Sequence, residues 1–320
     1  MKLARSKGPD AAPLPGRWPA CSVACCALLL LVAAGAAPAQ ELEPRAYSPN
    51  PIGANFLVAA YGYSAGDVLF DPAVPITDAK AYVNSAAFGY GRSFGLLGRL
   101  ASVGVVVPYV WASMNGNVFE DRRDITRSGL ADVRVKFTVN LLGGPALTLR
   151  EFAARKPRTT LGASVLVNTP TGQYDPAKLV NLGTNRWAFK PEVGLSVPTG
   201  RWNLDLYAGV WFYADNPDFY GGKRLEQDPL ASLQAHVAYT IRPRMWIAAD
   251  ATWYSGGRTY NGGVPASERQ DNSRAGLTFA MPLGKQHGLK VAWAKGVTAR
   301  VGDKVNMYSI SYQFLWFDKQ

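Results

Sequence analysis

The chain has 320 residues, a formal net charge of +11 and 12% aromatic residues, with only two histidines and three cysteines. Metal sites built on several histidines are therefore excluded. The basic residues are scattered singly among Tyr, Trp and Phe and form no stripe, so nucleic acid is not an expected partner. No nucleotide-binding or nucleophile motif is present, and neither a cofactor nor a catalytic residue is predicted.

Residues 1–39 have the layout of a cleavable signal peptide. Basic residues precede an apolar stretch from Ala20 to Ala37, and Ala37-Pro38-Ala39 supplies the small-residue pattern that a signal peptidase recognises. All three cysteines fall in this leader, so the mature chain would contain no thiol. An uncleaved membrane anchor is the alternative, because about eighteen apolar residues just suffice to span a bilayer.

Residues 40–53 follow the leader and contain no predicted strand. Pro44, Pro49 and Pro51 exclude this segment from a central strand position, because proline cannot donate to the hydrogen-bond ladder. Two interpretations remain open. The segment is either a plug inside the membrane domain or a loose periplasmic tail, such as chain termini often form.

Residues 54–320 are predicted to form an all-β fold, a transmembrane antiparallel β-barrel of about twelve strands. Between Asp132 and Leu141 every odd position is apolar and every even position is polar, which places the apolar side chains on one face. The same period runs from Trp202 to Phe212 and from Leu233 to Ile241. The predicted strands are approximately Ala54–Tyr63, Ala81–Phe94, Arg99–Ser113, Leu130–Leu141, Thr159–Thr169, Arg186–Val197, Trp202–Tyr213, Leu230–Ile241, Met245–Tyr254, Asn272–Pro282, Leu289–Gly296 and Val305–Phe317.

The predicted connections alternate in length. Tight turns are expected at Gly95–Gly98, Pro198–Arg201, Arg242–Arg244 and Gly284–His287. Long polar loops are expected at Ser64–Lys80, Met114–Gly129, Pro170–Asn185, Ala214–Pro229 and Ser255–Asp271. Short periplasmic turns alternating with long outer loops are typical of outer-membrane barrels. The connection Leu142–Arg158 is long on the short-turn side and is expected to hold a helical turn.

Aromatic residues cluster near the predicted strand ends, where amphipathic rings suit the headgroup level of a bilayer. The residues assigned to this girdle are Tyr109, Trp111, Trp187, Trp211, Phe212, Tyr213, Trp253, Tyr254 and Phe314–Phe317. A soluble β-sandwich is the alternative all-β fold. It would place its aromatic residues mid-strand and has no reason to alternate long and short connections.

Three segments resemble the outer-membrane barrel family labelled for the MetA-pathway of phenol degradation. They are Asn50–Phe56, Pro170–Asp175 and Asn181–Arg186. The resemblance covers most of the mature chain and implies a transporter, often encoded beside genes of aromatic catabolism, without catalytic residues. One departure is the C-terminus, because barrels commonly end on an aromatic residue and this chain continues past Phe317 with three polar residues.

If the apolar strand faces meet lipid, the polar faces line the lumen. The ionisable residues assigned to the lumen are Asp132, Arg134, Lys136, Lys190, Glu192, Asp205, His236, Asp250, Arg274 and Lys290. They are expected to form either a mixed-charge constriction that filters solutes or a network of ion pairs that fills the barrel. About twelve strands lie between a lumen filled by side chains and an open channel, which fits a narrow or plugged pore.

The predicted function is a passive pore or transporter for small solutes in the outer membrane of a Gram-negative bacterium. Aromatic or hydrophobic solutes are favoured only by the family resemblance. The expected partners are outer-membrane lipid, the barrel-assembly machinery, periplasmic chaperones and the small-molecule solute. The alternatives are a structural or surface-binding barrel without transport and a lipid-modifying enzyme. An enzyme is disfavoured, because His287 falls in a predicted turn and no serine follows His236 on its own strand.

Overall fold

The computed structural model describes residues 42–69, 76–118, 121–265, 268–299 and 302–318. The predicted signal peptide, residues 1–39, lies outside the described residues, and its cleavage stays a prediction. The described residues form seventeen β-strands and one short helix. Among these residues, no helix has the length and apolar character needed to cross a bilayer.

Long strands form the wall of the barrel, and four short strands lie in the connections between them. The first eight are β1 (Ala54–Leu69), β2 (Ile76–Leu96), β3 (Arg99–Val118), β4 (Asp121–Leu130), β5 (Arg134–Leu142), β6 (Thr160–Asn168), β7 (Ala188–Thr199) and β8 (Trp202–Tyr213). The others are β9 (Asn216–Phe219), β10 (Lys223–Gln227), β11 (Leu230–Arg242), β12 (Met245–Gly256), β13 (Thr259–Asn261), β14 (Val264–Pro265), β15 (Gln270–Pro282), β16 (His287–Thr298) and β17 (Gly302–Phe317). The helix α1 (Leu149–Ala153) lies between β5 and β6.

The long strands close into one antiparallel barrel. The large sheet contains thirteen strands, and it closes on itself because β2 pairs with both β1 and β3. Since β4 and β5 pair with successive parts of β3, they share one position, and the wall has twelve positions. The predicted twelve-stranded all-β barrel is confirmed. Closure allows strands to cross a bilayer, because it leaves no row of unpaired backbone groups in contact with lipid.

The seam of the barrel joins the first and last strands. β1 and β17 pair over their full lengths, from Ala54 opposite Phe317 to Leu69 opposite Gly302. Beyond the seam, Asp318 N donates to Gly53 O at 2.9 Å, and Asp318 Oδ1 accepts from Asn55 Nδ2 at 2.9 Å. The first residue of the polar C-terminal tail is therefore tied to the start of β1.

One predicted strand is interrupted. The sequence predicts a single strand over Leu130–Leu141, but the chain leaves strand geometry at residues 131–133, between β4 and β5. The connection after β6 bonds to both sides of this break: Thr169 N donates to Val133 O at 3.0 Å, and Gln173 N donates to Leu130 O at 2.8 Å. The prediction of one continuous strand was wrong because the pairing of β4 and β5 is completed by a loop from elsewhere in the chain.

Most short connections share one end of the barrel, here called the turn end, and most long ones share the opposite loop end. The exceptions are the connection from β5 to β6, which is long at the turn end, and the connection from β16 to β17, which is short at the loop end. Two-residue turns join β2 to β3, β7 to β8 and β11 to β12. At the first of these, Leu97 and Gly98 both adopt positive φ, 48° and 75°, as the tightest hairpin turns require. The helical turn expected within Leu142–Arg158 is present as α1.

Two of the predicted loops are largely strand. β1 and β2 extend through most of Ser64–Lys80, and β3 and β4 extend through most of Met114–Gly129. β2 has 21 residues, whereas a tilted strand needs about 9–11 to cross the hydrocarbon core, so these strands project beyond the membrane. Apolar and polar residues no longer alternate strictly in these extensions, although inward positions such as Ala79 stay buried. Sequence pattern alone therefore indicated loops.

The loops after β8 and β12 also contain strands. β9 and β10 lie within the predicted loop Ala214–Pro229, and β13 and β14 lie within Ser255–Asp271. The four pair as a separate sheet at the loop end, in the order β14-β13-β10-β9. The connection after β8 therefore pairs with the connection after β12 through β10 and β13.

The outward face of the wall is apolar. Leu206, Val193 and Val237 are 50%, 53% and 44% exposed, and they alternate with buried polar neighbours along their strands. Apolar exposure on this scale does not occur on a water-soluble monomer, and contact with lipid is its physical explanation. The barrel therefore places the chain among bacterial outer-membrane proteins.

Candidate solute pathway in the lumen

The ionisable residues that the sequence assigned to the lumen lie on the inward face of the wall. Arg134 and Lys290 are partly exposed. The others are each 8% exposed or less: Asp132, Lys136, Lys190, Glu192, Asp205, His236, Asp250 and Arg274. The structure brings most of them together in pairs, and it adds partners from the segment that precedes β1.

Two ion pairs occupy the middle of the barrel. Lys190 Nζ lies 3.0 Å from Glu192 Oε2 on β7, and Lys136 Nζ lies 2.5 Å from Glu43 Oε2 of the N-terminal segment. Gln234 Nε2 also donates to Glu192 Oε2, at 3.1 Å. Buried charges are tolerated when they are paired and hydrogen-bonded in this way.

A second polar group lies on β11, β12 and β15. His236 Nδ1 lies 2.7 Å from Asp250 Oδ1, and Thr278 Oγ1 donates to Asp250 Oδ2 at 2.7 Å. A neutral His236 therefore carries its proton on Nδ1, which the carboxylate accepts. Arg274, on the same inward face, contacts Met307 Sδ at 2.6 Å.

The described part of the N-terminal segment, residues 42–53, runs inside the barrel. Tyr47 is 1% exposed, its Oη donates to Glu192 Oε1 at 3.0 Å, and it shares a hydrogen bond of 2.8 Å with Ser164 Oγ. The wall makes room for this ring with two glycines. A Cβ at Gly162 or Gly194 would lie 2.3 or 2.1 Å from atoms of the Tyr47 ring, so no other residue fits there without displacing it.

Further contacts hold this segment from the other side of the lumen. Arg45 N donates to Asp205 Oδ2 at 3.0 Å, and Arg45 Nη2 donates to Thr240 Oγ1 at 2.7 Å. The Arg45 guanidinium lies 5.1 Å from the centre of the Trp246 ring. Because its partners lie on β5, β6, β7, β8, β11 and β12, the described segment is packed across the lumen; we call residues 42–53 the plug segment.

On the loop-end side of the plug segment, apolar side chains face the lumen. This aromatic cluster contains Ala87, Val106, Leu166, Ala188, Trp211, Leu230 and Tyr254, with Tyr213 packed against it. The cations Lys190 and Arg186 lie 5.5 and 4.8 Å from the ring centres of Trp211 and Tyr213. The lumen is therefore polar at the level of the plug segment and apolar above it.

The aromatic cluster corrects three assignments to the lipid girdle, because Trp211, Tyr213 and Tyr254 belong to the inward face. Trp211 and Tyr254 are 0% and 1% exposed and face inward, whereas Phe212 and Trp253 beside them are 47% and 43% exposed. The two-residue period already indicates that Trp211 faces inward. The lipid-facing series on β8 uses even positions, so Trp211 belongs to the same face as Asn203 and Asp205.

Asp132 holds the loop between β6 and β7. At the break between β4 and β5, its Oδ1 accepts from Gly172 N at 2.9 Å, and its Oδ2 accepts from Thr184 N at 2.9 Å and Thr184 Oγ1 at 2.6 Å. Gly172 and Gly183 pack backbone to backbone, since a Cβ on either would lie 2.7 Å from the other. The loop continues to Arg186, which reaches the aromatic cluster through Tyr213.

Both halves of this anchored loop come from segments that carry the family resemblance. A family model described as "MetA-pathway of phenol degradation" matches residues 59–314, more than half of the chain. The chain belongs to this family. In this phenol-degradation family member, the resembling Pro-Thr-Gly and Asn-Leu-Gly-Thr segments are thus brought together by one buried carboxylate, that of Asp132.

Solved structures share the fold of this family member. An outer-membrane channel from Pseudomonas putida F1 superposes with a TM-score of 0.75 at 22% identity, covering 86% of this chain and 100% of that one. The β-domain of the Bordetella autotransporter BrkA superposes with a TM-score of 0.51 at 12% identity, covering 82% and 100%. At these identities the likeness is one of fold. No curated protein sequence matches the chain.

Sequence reasoning missed the residues that the plug segment brings to the lumen of this family member. Glu43, Arg45 and Tyr47 stand in a proline-rich stretch without periodicity, and only Tyr47 has a signal elsewhere, namely Gly162 and Gly194 on the inward face of neighbouring strands. A glycine on such a face marks a close approach by another group. The identity of that group could not be inferred from the glycines themselves.

Proposed function

We propose that the protein is a passive channel in the outer membrane of a Gram-negative bacterium, through which small hydrophobic or aromatic compounds move down their gradient. The observation that carries the proposal is the aromatic cluster inside the lumen. Barrel interiors are ordinarily polar, and inward-facing Trp, Tyr and Leu side chains have no role in contact with lipid. Trp211, Leu166, Leu230 and Tyr254 are 0–1% exposed in this structure, so a solute would contact them only when the packing opens. It would then gain about 25 cal/mol for each Å² of apolar surface removed from water.

The aromatic cluster also presents one polar group to a solute. Trp211 Nε1 is buried and has no hydrogen-bond partner among the described residues. An indole N–H is a donor, and a buried donor gains free energy from any acceptor that reaches it. A solute with an aromatic body and one oxygen substituent therefore matches the cluster better than a sugar, whose several hydroxyl groups would lose hydration against Leu166 and Leu230.

The plug segment narrows the path on the turn-end side of the cluster. Lys190 pairs with Glu192, and the plug residues Glu43 and Tyr47 bond to Lys136 and Glu192. For these three charges, the contacts support an ion-pair network that fills the lumen over an open constriction that filters solutes. We infer that passage requires a displacement of the plug segment and that the rate of uptake therefore saturates with solute concentration.

Transport is proposed to proceed without covalent chemistry. His236 Nε2, the atom that would activate a nucleophile, has no hydrogen-bond partner among the described residues. Nucleophilic catalysis by serine or threonine requires such a partner within about 2.6–3.2 Å. The outer-membrane lipid, assembly machinery and chaperones remain the expected partners of a barrel with this apolar exterior.

The test uses intact cells, because apolar solutes cross phospholipid vesicles unaided. Initial uptake of a radiolabelled aromatic compound at limiting concentration is compared in cells with and without the gene. Trp211→Ala is expected to lower uptake, whereas the matched variant Phe212→Ala, one residue along β8 and facing lipid, is expected to leave it unchanged. Equal uptake with and without the gene would favour the structural or surface-binding alternative.

Deletion of residues 41–50 tests the plug segment separately. Without these residues, ion conductance of the purified barrel in planar bilayers should rise, because Glu43, Arg45 and Tyr47 no longer cross the lumen. The folded state of the shortened barrel is checked by its heat-modifiable mobility on gels. Unchanged conductance of a folded, shortened barrel would contradict the proposed role of the segment.

A further inference from the structure

A groove lined by basic side chains lies at the turn end of the barrel, beside the connection that contains α1. Its volume is about 710 Å³, many times the roughly 30 Å³ that one water occupies in the liquid. Of the described residues that line it, four are basic and one is acidic: Arg99, Arg155, Lys156 and Arg158, and Glu151. We call it the basic groove.

Backbone contacts hold two walls of the basic groove together. The turn between β2 and β3 meets the connection after β5, where Leu100 N donates to Gly144 O at 3.0 Å. Arg99 and Pro145 form a β-bridge beside this hydrogen bond. The cation on β3 therefore keeps a fixed position relative to the cations that follow α1.

Most of the positive charge of the basic groove is not paired within the described chain. Among the described residues, the side chains of Arg99, Lys156 and Arg158 make neither a hydrogen bond nor a salt bridge. The acid in the lining is engaged locally, because Glu151 Oε2 accepts from Thr148 N and Thr148 Oγ1, both at 2.8 Å. An anion that enters the groove would meet cations without competing protein partners.

Arg155 is already oriented without a ligand. Its Nη2 donates to Gly143 O at 3.2 Å, and its guanidinium lies 5.4 Å from the centre of the Phe152 ring. Phe152 is 7% exposed, so this ring is itself fixed by packing. A ligand of Arg155 therefore does not have to order a flexible side chain, which is one of the main costs of binding.

The position of Arg99 on β3 places the basic groove at the headgroup level of one leaflet. Arg99 belongs to the outward series of this strand, which includes Val105, Val107 and Trp111. From residue 99 to residue 111 the strand rises about 30 Å along the membrane normal, at about 3.3 Å per residue and a tilt of about 40°. The apolar band of such a barrel is only about 25 Å tall. With Trp111 in one headgroup region, Arg99 lies in the other.

Exposed leucines border the basic groove along the chain. Leu141 and Leu142 directly precede Gly143 and are 43% and 57% exposed. Leu97, at the turn before Arg99, is 95% exposed. Unpaired cations next to exposed apolar side chains suit the depth at which lipid phosphates meet acyl chains. A soluble anion would use the cations but not the leucines.

We propose that the basic groove binds the phosphodiester group of an anionic phospholipid in the inner leaflet of the outer membrane. The guanidinium groups of Arg99 and Arg155 donate to the phosphate oxygens, because their planar forks match that geometry. Lys156 and Arg158 add positive charge, and the acyl chains lie against the exposed leucines. The proposal concerns the lipid-facing rim and does not depend on passage of a solute through the lumen.

The test measures binding of phospholipid to the purified, folded mature barrel by native mass spectrometry. Phosphatidylglycerol should bind saturably and at least about tenfold more tightly than zwitterionic phosphatidylethanolamine with the same acyl chains. The triple variant Arg99→Gln, Lys156→Gln, Arg158→Gln should bind phosphatidylglycerol at least about tenfold more weakly than the wild type. A matched control removes three exposed cations from other turns at the same end and should bind like the wild type: Arg201→Gln, Arg242→Gln, Lys285→Gln.

A competition measurement distinguishes a lipid from a free phosphate. Inorganic phosphate and glycerophosphoglycerol, the headgroup without acyl chains, should displace phosphatidylglycerol only at concentrations at least about a hundredfold higher, because they make no apolar contacts. Displacement at equal concentrations would assign the groove to soluble phosphates and overturn the lipid proposal. Equal binding of the two lipids would also overturn it. So would wild-type affinity in the triple variant, once heat-modifiable mobility shows that this variant is folded.

Discussion

The wall residues that contact the plug segment and the residues of the aromatic cluster lie on the inward face of the barrel and share β6, β7, β8, β11 and β12, yet they are held together differently. Around Tyr47, Lys190 and Glu192, the side chains are held by a salt bridge and by directed hydrogen bonds. Around Trp211 and Leu166, side chains share apolar surface without matched partners. Alternation along a strand determines which side chains point inward. Side chains that contact the plug segment need specific hydrogen-bond or ionic partners, whereas side chains of the aromatic cluster need only apolar contacts.

The largest expected effect comes from breaking the Lys190–Glu192 pair, which lies beside the plug segment. Glu192→Ala should destabilise the barrel by about 3–5 kcal/mol, because it removes a buried salt bridge to Lys190 and the carboxylate that accepts hydrogen bonds from Tyr47 and Gln234. The double variant Lys190→Met, Glu192→Leu should recover most of that stability. Urea titration monitored by the gel shift of folded barrel measures both. A double variant as unstable as the single one would mean that the pair is not the unit of stability.

In the aromatic cluster, barrel stability should depend on side-chain volume and not on a hydrogen-bond or ionic partner. Leu166→Ala is expected to cost about 2–5 kcal/mol by the same titration, since it removes buried methyl groups and leaves a cavity. Val165→Ala, the next residue of β6, faces lipid at 41% exposure and should cost much less, because lipid fills the space. Equal losses at both positions would contradict the assignment of Leu166 to a packed interior.

A smaller change sharpens the comparison at its boundary. Tyr47→Phe keeps the ring in its glycine slot but removes the hydroxyl that bonds to Glu192 and Ser164. We expect the free energy that holds the plug segment in the lumen to fall by about 1–1.5 kcal/mol. This corresponds to about a tenfold increase in the open fraction in single-channel recordings. A closed fraction identical to that of the wild type would show that the ring alone retains the plug segment.

The smallest effect is expected outside the lumen, at α1. The Thr148 backbone N–H and hydroxyl donate to Glu151 and hold the pKa of this carboxyl below its ordinary value of 4.5. The stabilisation is therefore complete above pH 4.5 and is lost as the pH falls through the lowered pKa. Amide exchange in α1 should accelerate over that acidic range, and Glu151→Gln should abolish this pH dependence while exchange in β6 does not change.

The wall could be predicted from sequence because lipid imposes one physical requirement on every strand, an apolar side chain at each second position. All twelve predicted strands have counterparts within a few residues outside the extensions at the loop end. Beyond the bilayer the outward face meets water and need not be apolar, so the extensions of β1 to β4 and the four-stranded loop sheet escaped prediction. The break at Asp132 escaped as well, since its polar position fits an unbroken strand equally well.

Inside the barrel the ionisable inward positions could be named, but not their partners. The two-residue period predicts that Lys136 and Glu192 face inward. The pattern along β5 or β7 does not indicate that Glu43 and Tyr47 are their partners. These partners come from a segment whose own sequence has no periodicity. Trp211 was the avoidable error, because its position on β8 already placed it on the lumen face.

The glycine slot for Tyr47 fixes an order of events. Tyr47 precedes the first strand, and Gly162 and Gly194, which flank its ring, belong to β6 and β7. The slot does not exist until those two strands are paired, so a segment that precedes every strand in the chain reaches its place late. Docking of the plug segment is thus a late step of assembly, and a barrel stalled before it would be a leak in the membrane.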